Sequence, residues 1–199
     1  MNEVETYTTV LIGIVLGMAI ARIVSFIGRI VVRSHYSKLT ITHTVWTFGL
    51  LLLIVQSWWA MSTDWEFSKA DTLIKLTFLL VSPILLYLAS AVLCPDIAKD
   101  EEFDLDKYHF KANTAFFVII GLLFVVLIPE AILMNKCGVA LFERENIMRL
   151  VAALFFFSTP LLIKRWPNIE IAIPIVVVLL IIVQLSWAGP LNLLTECKA

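Results

Sequence analysis

The chain has 199 residues, of which 60% are hydrophobic and only 16% charged, with a mean hydropathy of +0.93. Soluble domains carry about 25% charge, so the composition is that of a membrane protein, with lipid as the expected partner of most of the surface. The formal net charge of -1 offers no dense basic face to neutralise phosphates, which argues against a nucleic-acid partner.

The first apolar stretch organises the reading. Val10 to Ala21 carries no charge and Ile23 to Ile27 continues it, beyond the roughly 20 residues a helix needs to cross a bilayer. Gly13, Gly17, Ala21 and Ser25 recur every fourth residue, which on a helix makes a smooth stripe where a neighbouring backbone can come close. Arg22, Ser25 and Arg29 share an adjoining face. Ala19-Ile20-Ala21 resembles a signal-peptidase site, but Met1 to Tyr7 carry Glu3 and Glu5 and no Lys or Arg. A signal peptide needs a positive n-region, so the segment is expected to stay as a span.

Further apolar runs predict an all-α bundle of six transmembrane helices at about residues 8–32, 41–62, 73–94, 110–130, 147–164 and 169–189. The fifth run is short and reaches span length only if Arg149 and Lys164 snorkel outward from its ends. Lys and Arg near the span ends favour both termini outside a bacterial cytoplasmic membrane, with the connections near His35, Glu101 and Trp166 inside. Trp58, Trp59, Trp65 and Trp187 then form an outer aromatic belt, and Trp46, Trp166 and Tyr36 lie at the inner interface. The longest connections are too short for a domain, since independent domains usually need about 50 residues. Any chemistry therefore lies in the bundle, at its rims or on a partner.

The connection from Asp96 to Lys111 is rich in acid but lacks the turn glycine and terminal Glu spacing of a calcium loop. Like-charge runs of this kind are usually just solvated. Leu86-Tyr87-Leu88, Cys94-Pro95-Asp96, Phe103-Asp104-Leu105, Tyr108-His109-Phe110 and Phe116-Phe117 together resemble a group of small, uncharacterised bacterial integral membrane proteins. The resemblance covers mainly the third and fourth spans, with His109 where the group has a second Tyr. It implies a bacterial cytoplasmic-membrane home and supplies no activity, cofactor or catalytic residue.

An internal echo links the second and sixth spans. Gln56, Trp59 and Ala60 in one and Gln184, Trp187 and Ala188 in the other stand at the same offsets on one helical face. Either a helical hairpin is duplicated, as in some transporter folds, or apolar segments ending in interfacial Trp simply look alike.

Arg22 is the costliest residue to place, at about 2.5–3.5 kcal/mol on insertion scales. It either snorkels to the inner headgroups or faces the bundle and pairs with Glu170. Gln56 and Gln184 must find partners in hydrocarbon, as helix glue or as the lining of a polar path. Asp71, Lys75, Glu130 and Arg149 read as rim charges, of the sort usually worth little. Pro83, Pro160 and Pro174 free helix carbonyls, and Ser82, Ser158 and Thr159 stand beside two of them to bond the backbone.

His43 and His109 invite a haem or metal reading, but no further ligands stand at suitable spacing. Cys94, Cys137 and Cys197 show no metal spacing, although Cys137 and Cys197 fall on the oxidising side, where a disulfide is open to them. No Ser-His-Asp set, phosphate loop or HExxH gives positive support to an enzyme. No cofactor is expected. The expected partners are membrane lipids, a second copy or another membrane protein. Two functions remain: an accessory or scaffold subunit meeting partners through the small-residue stripe and the acidic loop, and a small transporter or channel with a polar path near Arg22, Gln56 and Gln184.

Overall fold

The computed structural model describes residues 3–32, 41–63, 73–95, 105–134, 144–165, 172–173 and 175–179. These are helical almost throughout, with no strand among them. The long helices are α1 (Glu3–Val32), α2 (Ile41–Thr63), α3 (Leu73–Leu93), α4 (Leu105–Met134) and α5 (Arg144–Arg165). Four stretches are long and apolar enough to cross a membrane: Thr6–Val32, Ile41–Ala60, Leu73–Leu93 and Asn146–Arg165. The apolar part of α4, Thr114–Glu130, is shorter. Of the expected sixth span only 172–173 and 175–179 are described, so the sixth crossing and the hairpin duplication that leans on Gln184 lie outside the described residues.

α1 buries Ile12, Leu16, Ala19, Ile23, Phe26 and Ile30. The steps between them alternate four and three, which on a helix makes one seam of large apolar side chains. That seam, rather than the small-residue stripe, faces the other described helices. Gly17, Ala21 and Ser25 are exposed, and among the described residues a Cβ added at Gly13 or Gly17 would meet nothing within 4 Å.

α2 turns Thr42, His43, Trp46, Thr47, Leu50 and Ile54 inward. Trp46 is therefore not the interfacial anchor its position in the sequence suggests. Only 3% exposed, it sets its indole against Phe116 and Phe117 of α4 with ring centroids 5.4 and 5.1 Å away, both near edge-on. This is the arrangement favoured by aromatic quadrupoles. Trp58 and Trp59, at the far end of α2, stay exposed as a belt residue should.

α3 is the centre of the assembly, touching α1, α2 and α4, while α5 packs along α4. The contacts fix the directions. Leu93 at the end of α3 meets His43 at the start of α2, mid-α3 Ser82 meets Glu130 late in α4, and Arg149 early in α5 meets Leu127. Successive helices from α2 to α5 thus run antiparallel.

The α4–α5 seam closes where Gly121 lets a ring approach. A Cβ there would lie 2.7 Å from Cε1 of Phe157, and beside it Phe124 and Phe156 stack with centroids 5.5 Å apart and planes 10° from parallel. Between lipid-embedded helices, close van der Waals packing of this kind replaces the hydrophobic drive. Ser158 and Thr159 bond the Phe155 carbonyl of their own helix, one residue before the Phe156 carbonyl that Pro160 leaves open.

Candidate functional site

Two polar centres interrupt the apolar interior, and both hang on α3. The first is its C-terminal end. Cys94 N–H still donates to Ser90 O at 2.9 Å, and Pro95 then stops the helix, having no N–H to give. The last carbonyls of a helix have no partner within it, and here neighbouring helices provide donors. His43 Nε2 lies 2.8 Å from Leu93 O, and Arg22 Nε donates to Cys94 O at 3.2 Å.

A carbonyl only accepts, so His43 Nε2 carries the hydrogen. Its other ring nitrogen lies 3.4 Å from the Thr47 hydroxyl, which also donates to His43 O at 2.8 Å. Phe26 of α1 covers the imidazole at a ring distance of 5.3 Å. With Nε2 engaged at a helix end and the ring 1% exposed, this histidine is a packed capping donor. Cationic Arg22 at a helix C-terminus also meets the negative end of the helix dipole. The thiol of Cys94 is buried and free.

The second centre lies about halfway along α3. Ser82 Oγ donates to Glu130 Oε2 at 2.6 Å, joining residues 48 apart in sequence. Both side chains are 2% exposed. Arg149 of α5 acts electrostatically on the carboxyl, while its Nη1 donates to Asn146 Oδ1 at 2.9 Å and to Leu127 O at 3.4 Å. Asn146 is buried as well. Lys75 precedes Ser82 by two turns on the same face of α3, so at about 1.5 Å per residue the serine sits roughly 10 Å further along the axis. Pro83 and Pro129 flank the pair in sequence, each inside its helix, and each removes a backbone hydrogen bond there.

A carboxyl group inside a membrane bundle is costly, and its usual explanation is functional. The chemistry open to this centre is hydrogen bonding, charge compensation and proton exchange. Among the described residues no three of His, Cys, Asp and Glu gather as metal ligands.

Arg22 is half-buried with its guanidinium turned to the end of α3. Glu170, the pairing partner expected from the sequence, lies outside the described residues, as does Gln184. Gln56 lies partly buried in α2, and among the described residues its Oε1 is buried without a hydrogen-bond partner. Cys137 and Cys197 also lie outside them. The structure thus brings Arg22 to His43 through the end of α3, and it brings Glu130 and Arg149, read from sequence as rim charges, to a buried serine.

Sequence reasoning missed the Ser82–Glu130 contact. The available signal was a pair of prolines, each with a polar neighbour, in adjacent spans.

Compared with protein-family models, curated proteins and solved structures, the chain matches none.

Proposed function

We propose that this chain is an accessory membrane subunit of a bacterial cytoplasmic membrane, with both termini outside, that binds a second membrane helix on the small-residue face of α1. The observation behind the reading is the division of labour on that helix. Large apolar side chains fill the seam toward α3, while Gly13, Gly17, Ala21 and Ser25 lie off that seam, with no described atom within 4 Å of a Cβ added at either glycine. A stripe of this kind suits the close approach of an apolar helix carrying small residues of its own.

Gly17→Ile tests this, because a Cβ added at Gly17 meets no described atom of the same chain within 4 Å. The expected outcome is an unchanged thermal unfolding curve in detergent together with at least tenfold weaker recovery of the partner, or of a second copy, after crosslinking in native membranes. Equal recovery of the same associates from wild type and variant removes the accessory reading.

The Ser82–Glu130 contact favours a second reading, a small transporter or channel whose polar path runs past Glu130 and Gln56. Its test is solute or proton flux from liposomes with Glu130→Gln and Gln56→Leu. Flux that both variants leave at the wild-type rate removes it.

A further inference from the structure

We infer that Glu130 is an exchangeable proton site, with Ser82 as the hydrogen-bond partner of the carboxyl and Arg149 as the cation that balances its ionised form. The inference deepens the transport reading and names its ligand as the proton.

The reasoning starts from supply and demand of donors. An ionised carboxylate has about four lone-pair positions to satisfy, and burial without partners is expensive for any charged group. Among the described residues the hydrogen bond to Glu130 comes from one neutral hydroxyl, Ser82. The nearby guanidinium spends Nη1 on Asn146 and on the Leu127 carbonyl. Neither protonation state is therefore locked by a saturated set of partners.

The neutral acid keeps the Ser82 bond on its carbonyl oxygen and gains an O–H of its own to donate. The ionised form keeps the same bond and gains the field of Arg149. In the exchange a proton passes from hydronium to a Glu130 oxygen, leaving water; no other bond breaks and no electron moves.

Among the described residues few groups face this carboxyl. α5 presents Arg149, and α3 presents the Ser82 hydroxyl with Lys75 two turns away on the same face. α2 carries no charged side chain along Ile41–Ala60 except by protonation of His43, which caps the opposite end of α3. A proton arriving at Glu130 thus changes the charge of a centre shared by three helices, two of them broken nearby by Pro83 and Pro129.

Acid-minus-alkaline infrared difference spectra of the full chain in lipid bilayers test the site. The expected result is a protonated-carboxyl C=O band that disappears in Glu130→Gln and moves to higher frequency in Ser82→Ala, where the hydroxyl no longer bonds the carbonyl. Superimposable spectra of wild type and a folded Glu130→Gln overturn the inference. Should that variant fail to fold, an unmoved band in Ser82→Ala overturns it instead. The band without proton-linked flux keeps the proton site and removes the transport reading; flux without the band does the reverse.

Discussion

The two polar centres on α3 solve different problems with different means. At its C-terminal end the acceptors are backbone carbonyls that every helix leaves open, and His43 and Arg22 serve them from α2 and α1. About 16 Å away along the axis there is no helix end to finish, and the polarity is carried mainly by side chains: Ser82, Glu130, Arg149 and Asn146. The first centre finishes a structural element and would be needed in any bundle that ends a helix at a Cys-Pro step. The second imports an acidic group into a place that does not require one, which is why it is the better candidate for function.

Breaking the acidic centre should cost more than breaking the cap. The largest effect is expected for Arg149→Leu, which leaves the buried Glu130 carboxyl without its cation and Asn146 and Leu127 O without their donor. A loss of about 2–3 kcal/mol follows from hydrogen bonds to charged groups, read as a shifted midpoint in a denaturing-detergent titration. Ser82→Ala comes next, at about 0.6–1.7 kcal/mol, the range from the mean to the maximum of interhelical hydrogen bonds in membranes. Combining it with Glu130→Gln in a double-mutant cycle should recover much of that loss as coupling.

Arg22→Leu should change stability least, by about 0.6 kcal/mol or less, because the bond to Cys94 O is 3.2 Å long and a leucine inserts more readily than an arginine. A loss larger than that of Ser82→Ala would invert the ranking of the two centres.

Most of the helical architecture was legible because hydropathy needs only local information. α1, α2 and α3 each follow an apolar run of span length, and α5, whose charge-free run is short, reaches that length as Asn146–Arg165 with Arg149 and Lys164 included. The exceptions are places where the chain outruns its own apolar pattern. Glu130 reads as a rim charge because Pro129 and a carboxylate close the fourth charge-free run. In the structure α4 passes both and continues to Met134, which carries Glu130 inside and gives it to Ser82. Trp46 misleads for a similar reason. Tryptophan near a span end usually anchors at headgroups, but the phenylalanines of α4 at Phe116 and Phe117 lie at the same level and offer it a better neighbour. Neither outcome is written in a single segment, since each depends on which helix comes to lie alongside.

The central place of α3 also bears on how the chain is made. Helices leave the ribosome and enter the bilayer one after another, and among the described helices each from the second onward finds an earlier one to settle against. α3 joins the pair already inserted and ties it together, α4 docks on α3, and among the described helices α5 settles along α4, with Phe156 reaching Trp46 of α2. A truncated product ending after the fourth helix should therefore persist long enough in the membrane to be detected by pulse labelling, whereas one ending after the second should be cleared by quality-control proteases, having never met the helix that holds its two members in place.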